Sequence, residues 1–551
     1  MQTLTAVTAA PPTPNGDLHL GHVSGPYLGA DVYARAVRLR GGDAYYVTGS
    51  DLHQSYVPTK ARRDGVDPLV MADRYADEIA RIFTSAAFAT AAVVRPQHTP
   101  EHTRIVSGFF ARLHERGALR TVTEPLPHCA TCDRYLFEAH LTGRCPHCGA
   151  VCDGNSCENC ALPNAVTDLV DAVCNACGSA PTLQVGTRLV FPLSEYADRL
   201  RAYHAGTVMS PQLEALCADM LAAGLPDIPV THPTDWGLPM PGHPGQRIYV
   251  WAEMVPGYAA ELARALSTTD WREAWDRATV VQFFGFDNGY FHAVLFPALM
   301  MAYDPGLRLP SALLTNEFYL LGDSKFSTSR RHAIWATDLL TQVPGSIVRF
   351  VLGHDRPEAA RTSFGWDRFH ALVDGELVER WQGWLTALFE RVDAAGGKVP
   401  SFAAATRSQH AFLQQLDAAA QDVFSAYAAE GFSTRRAARG LVRLVADTVD
   451  FAAAQSRRTT QLGLIPEATG SAGLDVAAAA VAAELAAART LAQLAYPLMP
   501  DFGQLLWTSL GEPGEPVWIG TAPPPAGQRV DTKAVFFTRL PADLEQTVMS
   551  S

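Results

Sequence analysis

The order of apolar and polar positions sets a rhythm within the first ninety residues. "LTAVTAA" is a short apolar run, "PPTPNGD" is a turn by its prolines and Asn-Gly pair, and "LHLGHVSGPYLGADVYARAVRLRG" spaces its apolar residues with a helical period. "DAYYVTGSD" is a second apolar run and "PLVMADRYADEIARIFTSA" a second helical one. Strand, helix, strand, helix predicts a Rossmann-like, doubly wound parallel sheet, with ligands at the carboxyl ends of its strands. Residues 125–190 break the rhythm with short elements rich in Cys, Gly and Pro. From about residue 225 it resumes, and "RIYVWAEM", "TVVQFFGFD" and "ALLTNEFYLL" are predicted as strands joined by helices. Beyond about 375 the texture is that of long Ala-, Leu- and Arg-rich helices, "GELVERWQGWLTALFERVDAA" first, and "TAPPPAGQ" reads as a linker.

This predicts a catalytic α/β half at 1–120, a knuckle-bearing insert at 121–190, and the second α/β half at 191–345. A stem at 346–375 and a helical domain at 376–551 follow. A chain of 551 residues is too long for one core, which agrees with several domains.

Hydrophobic content of 48% and charged content of 18% describe an ordered globular protein, and a net charge of −12 gives no global field for nucleic acid. A local basic groove stays compatible with that balance. The start carries no basic segment followed by an apolar run, so no secretory leader is read there. No uncharged stretch reaches the ~20 residues of a membrane span. "AAAAVAAELAAARTLAQLAYPLM" carries Glu484 and Arg489 and reads as a soluble amphipathic helix. A cytoplasmic protein is expected.

Of the 10 cysteines, eight form CxxC pairs: Cys129/Cys132, Cys145/Cys148, Cys157/Cys160 and Cys174/Cys177. Each pair offers two thiolates to one tetrahedral metal, so two structural Zn²⁺ sites are predicted. Nesting Cys145/Cys148 with Cys157/Cys160 inside Cys129/Cys132 with Cys174/Cys177 is the preferred pairing. Cys152 and Cys217 are left as buried thiols.

His19 and His22 open a helix after a strand and a turn, where free N–H groups and two imidazoles suit phosphate. A lone HxxH is also compatible with half a metal site. "GDSKFSTSRRHAIW" places Lys325 and Arg330 on a Gly-, Ser- and Thr-rich loop about 300 residues on, either a cover for a triphosphate or a solvated surface loop. Together the two stretches resemble the HIGH and KMSKS signatures of class I aminoacyl-tRNA synthetases. "APPTPNGDLHLGH", "YVTGSDLH", the four Cys pairs, "WG" at 236–237, "YVWAEMVPGY", "FFGFDNGYFHAVLFPAL" and "KFSTSR" with "AIW" resemble the methionyl group, in its archaeal and eukaryotic form.

The resemblance implies an ATP-dependent, AMP-forming ligase that uses ATP with Mg²⁺ and makes an aminoacyl adenylate. It implies catalysis by His19, His22, Lys325 and Arg330. ATP would be held by Pro12, Asn15, Gly16, His19, Gly21, His22, Gly285, Asp287, Asn288, Lys325, Phe326 and Ser327. The amino acid would be held by Pro11, Pro12, Thr13, Asp51, Trp251, Met254, Val255, Tyr258, Asn288 and His292, with Asp51 on its ammonium and Asp287 on the ribose.

Departures fall at informative places. Pro11 and Thr13 stand where the family has Leu and Tyr, Glu253-Met254-Val255 where it has Asp-Ala-Pro, Phe286 for a Lys, His232 for an Arg and Thr328 for the second Lys of KMSKS. In the helical domain, "VDFAAAQSRR" (449–458) lacks the family's anticodon-reading Asn and Trp, with Trp381 or Trp384 as candidate substitutes. These departures predict a paralogue with another amino acid, or with a small-molecule acceptor such as the hydroxylamine N-hydroxylysine, alongside a separate cupin-type partner. The alternatives are an authentic methionine–tRNA ligase and a degenerate tRNA-binding module.

Overall fold

The computed structural model describes residues 4–154, 156–322, 324–325, 333–461 and 470–550. Its centre is a six-stranded sheet of β1 (Leu4–Ala9), β2 (Asp43–Gly49), β3 (Ala92–Val94), β4 (Val208–Met209), β5 (Ala278–Gly285) and β6 (Ala312–Asn316). The order is β4-β6-β5-β1-β2-β3, and every pairing is parallel. β1 is buried at all six positions, which is why its sequence carries no charge and breaks its apolar run only with Thr5 and Thr8. The chain winds from β1 to β2 and β3 on one side, then returns to place β5 on the other. That reversal opens a crevice at the carboxyl ends of β1 and β5.

Helices cover both faces. Helix α1 (Leu28–Leu39) follows the His19–His22 turn, and α2 (Pro68–Ser85) has Pro68 in its first turn, with Asp67 accepting from the amides of Leu69 and Val70. One sequence expectation is overturned here. In "RIYVWAEM" the strand is confined to Gln246–Ile248, and Val250–Ala265 is helix α3. Nearly all of α3 is buried, so its apolar run carries no period by which a strand and a helix differ. As a helix, it puts Trp251, Met254, Tyr258 and Glu261 on one face at spacings of three and four.

The segment between β3 and β4 carries the insert. Strands Arg120–Cys129 and Thr182–Phe191 pair antiparallel over nine positions as its neck. A small sheet of Val151–Gly154, Glu138–Arg144 and Val170–Cys174 lies beyond. The helices that follow, from Gly383–Ala394 to Pro500–Ser509, share one continuous core with α1 and β1. Arg349, fully buried, fastens the two regions: it donates to Asp31 Oδ2 on α1 (2.6 Å), to the carbonyl of Ala86 and to those of Pro497 and Leu498. "TAPPPAGQ" is no free linker. Ala522 accepts from Arg489, and Gly527 and Gln528 bond the backbone of Val399, so the stretch straps the helical region. Among the described residues no helix is long and apolar enough to cross a membrane.

Candidate active site

A cavity of about 380 Å³ fills the crevice, walled by the loop from Ala10 to His22, the turn Gly285–Asn288, residues Asn316 to Tyr319, and Trp251 and Met254 of α3. Pro11, Pro12, Thr13, Asn15, Gly16, His19, Gly21, His22, Asp51, Gly285, Asp287 and Asn288 all line it. The turn chemistry of the first loop and its glycines bring backbone to the wall, as the motif requires.

At one end the His19 and His22 rings stack 3.7 Å apart at 17°. The His19 amide donates to His22 Nδ1 (3.2 Å), so in its neutral form His22 keeps its proton on Nε2. The helix they open is interrupted at once: Leu20–His22 runs into a wider turn, Val23–Tyr27, in which Gly25 takes a ψ of −122°. A Cβ at Gly25 would lie 3.1 Å from Asn316. The expected continuous helix is thus a kinked one, folded tightly against β6. The loop is also tied to the far motif. Leu20 donates to the carbonyl of Ile334 (3.1 Å), Ala336 donates to that of Leu18 (2.9 Å), and His19 bridges Trp335. Lys325 is described by its backbone alone, paired with Leu320; Phe326, Ser327, Thr328 and Arg330 lie outside the described residues.

At the other end Asp51 is buried, with the Thr13 hydroxyl 3.5 Å from Oδ2. Burial pushes its carboxyl well up, and the charges of Glu138 and Glu253 push the same way. An ammonium group at this carboxylate offsets that cost. Trp251 stacks on Phe291 (3.8 Å, 7°) and donates from Nε1 to Glu138 Oε1 (2.9 Å). Glu138 comes from the insert, with a φ of 47°, and its Oε2 accepts from the Ser55 hydroxyl (2.6 Å). Asp153 and Glu158 of the insert and Gln54 also reach the cavity. Glu253 is held between His53 Nδ1 (2.8 Å) and His102 Nε2 (2.9 Å). Burial opposes its charge, but the two imidazoles overcome it and hold the carboxyl at about 2.

Three expected amino-acid contacts are placed differently. Tyr258 and His292 bond each other (2.9 Å), and His292 is sealed under Phe284, its ring pressed to about 3 by burial. His292 and Val255 touch no part of the cavity: Val255 faces the core side of α3, and His292, on the separate helical turn Tyr290–Leu295, is fully buried. Tyr258 reaches instead a separate chamber of about 20 Å³ behind Met254, which also borders Pro11, Asp51, His102 and Glu261. Neither Glu138, the His53–Glu253–His102 group nor Glu261 carries a signal in the sequence, since their partners lie far along the chain.

The thiolates of Cys129, Cys132, Cys174 and Cys177 converge within 4.8 Å of one another, and so do those of Cys145, Cys148, Cys157 and Cys160. The contacts that join one CxxC pair to the other measure 3.4 Å for Cys129–Cys177, 3.9 Å for Cys132–Cys174, 3.9 Å for Cys145–Cys160 and 3.6 Å for Cys148–Cys157. Tetrahedral Zn–S bonds of about 2.3 Å require edges of about 3.8 Å. Both clusters therefore fit Zn²⁺, in the nested pairing. Cys152 and Cys217 are buried outside both clusters.

In the helical region Val449, Trp384, Arg391 and Gly383 border an open groove of about 500 Å³. Trp384 is committed to Glu484 through Nε1, and Trp381 is fully buried against Phe350 and Phe502. Trp381 therefore cannot present a stacking face. Arg457 and Arg458 are exposed on Thr434–Gln461.

Residues 5–388 match the family described as tRNA synthetases class I (M). The methionine–tRNA ligase of Thermomicrobium roseum is 34% identical over 457 residues, covering 81% of this chain and 78% of its own length. The chain belongs to this synthetase family. It is accordingly an ATP-dependent ligase of the methionyl-tRNA synthetase type. The methionine–tRNA ligase of Aeropyrum pernix is 29% identical over 558 residues, 98% of this chain and 96% of its own. Methionyl-tRNA synthetase of Mycobacterium tuberculosis, solved in complex with methionyl-adenylate, shares the fold with a TM-score of 0.80 at 20% identity, over 98% of this chain and 100% of that one. The parallel sheet, the knuckle insert and the helical C-terminal region are those of the family fold.

Proposed function

We propose that the chain condenses an amino acid with ATP to an aminoacyl adenylate and passes the aminoacyl group to a tRNA. The amino-acid carboxylate oxygen attacks the α-phosphorus, the bond to the β-phosphate breaks, and pyrophosphate leaves. A terminal ribose hydroxyl of the tRNA then attacks the carbonyl carbon, and AMP leaves. The observation that carries this reading is one cavity holding the stacked His19–His22 pair at one end and buried Asp51 at the other, with the first motif bonded to Ile334 and Ala336 next to the second.

His19 and His22 donate to phosphate oxygens as charge builds on them, Asp51 takes the α-ammonium, and Asp287 takes the ribose. Lys325 and Arg330 complete the phosphate contacts. Mg²⁺ arrives on the phosphates of ATP. The Zn²⁺ sites are structural, since four thiolates leave no open position, and their reduced state accords with a cytoplasmic setting.

The tRNA acceptor and methionine rest on the curated relatives, each named a methionine–tRNA ligase. No relative supports a hydroxylamine acceptor or a cupin partner. One observation favours a second reading for the amino acid alone. Met254 stands in the cavity wall where the resemblance leads to an Ala, while Tyr258 and His292 are withdrawn from that wall. Charging of total tRNA with radiolabelled amino acids tests both. Methionine on tRNA supports the relatives' activity, another amino acid on tRNA supports the second reading, and no charging with any amino acid refutes both.

A further inference from the structure

The small chamber behind Met254 differs in character from the rest of the amino-acid end. Three of the well-buried residues that border it, exposed by 8%, 5% and 4%, each carry a polar atom with no partner: Ser50 Oγ, His102 Nδ1 and Glu261 Oε2. Unsatisfied buried polar atoms cost free energy, and three around one void form a place for a polar guest. His102 gives its Nε2 to Glu253 (2.9 Å), so in the neutral ring Nδ1 is an acceptor. Glu261 adds a carboxyl oxygen. At about 20 Å³ the chamber holds one non-hydrogen atom with its hydrogens, the room of a single water. Asp51, Pro11 and Met254 border both the chamber and the main cavity, so the void opens beside the anchor for the α-ammonium.

We propose that this chamber receives the end of the activated amino acid's side chain, and that this side chain is short and ends in a hydrogen-bond donor, a hydroxyl or an ammonium group. This rests on the reading of the main cavity as an adenylate-forming site with Asp51 on the α-ammonium, and it deepens the second reading of the amino acid. A side chain leaving Cα at Asp51 passes Met254 and sets one donor among Ser50, His102 and Glu261. A methionine side chain, four non-hydrogen atoms long, is too large for the chamber. A hydroxyl there donates to one of these atoms and accepts from the Ser50 hydroxyl, an ammonium donates to all three, and an analogue without either leaves them unpaired, which is how polar pockets reject apolar isosteres.

The test is amino-acid-dependent exchange of pyrophosphate into ATP, by the full chain, with serine, 2,3-diaminopropionate, alanine and methionine. Serine or 2,3-diaminopropionate is expected to exceed alanine and methionine by roughly 10- to 100-fold in kcat/KM. Which of the two leads tells the hydroxyl from the ammonium. In Glu261→Leu that preference over alanine falls to within about threefold while the KM for ATP holds, and Glu261→Gln, which keeps an acceptor, retains most of it. If Glu261→Leu fails to fold, the substrate series on the unaltered chain decides. Methionine leading, or alanine equal to serine because a water fills the chamber, overturns the inference and leaves adenylate formation standing. Exchange with no amino acid overturns the adenylate reading itself.

Discussion

The two ends of the cavity were built under different constraints. The nucleotide end is built around a short-range centre, a turn, glycines and two histidines three residues apart whose rings stack at 3.7 Å, to which Gly285–Asn288 and Ile334 are added from far along the chain. The amino-acid end is made of long-range meetings, with Glu138 reaching from the insert to Trp251 and Glu253 joining His53 and His102. The first end keeps the paired histidines and glycines of the family pattern, with Phe286 and Thr328 as its departures. The second departs from it at Pro11, Thr13, Glu253 and Met254. The contrast teaches that activation chemistry needs a fixed phosphate geometry, whereas the choice of amino acid is set by contacts that can be rebuilt singly.

If the two ends are separable, damage at one should spare the other. The largest effect is expected for His19→Ala or His22→Ala, which should lower kcat for pyrophosphate exchange by about 10²–10³-fold while the amino-acid KM changes little. A matching rise in that KM would erase the distinction between the ends. Stripping metal comes next. The insert supplies Glu138, Asp153 and Glu158 to the cavity, so chelation should release two Zn²⁺ per chain and raise the amino-acid KM by roughly 10–100-fold. Binding of an ATP analogue, followed by calorimetry, should stay within about threefold.

Glu253→Ala leaves two buried imidazoles without their shared carboxylate and should destabilise the fold by about 3 kcal/mol in denaturant titration. A stability unchanged within about 0.5 kcal/mol would show the cluster to be idle. The smallest effect concerns pH. Asp51 holds its proton to a higher pH than an ordinary carboxyl, because it is buried beside Glu138 and Glu253. An ammonium ligand needs the carboxylate, so amino-acid affinity should rise with pH until Asp51 is ionised in the free protein, then level off. Asp51→Asn should flatten that rise.

How far the sequence reached follows the same division. The parallel strands were readable because strands buried on both faces are nearly continuous apolar runs. The Cys pairs were readable because two ligands of each Zn²⁺ site sit three residues apart. Val250–Met254 was misread as strand for a related reason: a fully buried helix loses its period. The withdrawal of Tyr258, Val255 and His292 from the cavity was not legible either, since it depends on how two buried helices far apart in the chain, Val250–Ala265 and Tyr290–Leu295, pack together. The His53–Glu253 contact spans 200 positions and the His102–Glu253 contact 151, distances at which spacing holds no information. Trp381 illustrates the converse: an aromatic ring in a suggestive segment proved to be core.

The most direct measurement of the central claim is pyrophosphate exchange into ATP by the full, metal-loaded chain, with each amino acid in turn. Exchange that requires an added amino acid and collapses in the His19→Ala, His22→Ala double variant is the predicted result. Exchange independent of any amino acid, or undiminished in that variant, would contradict it.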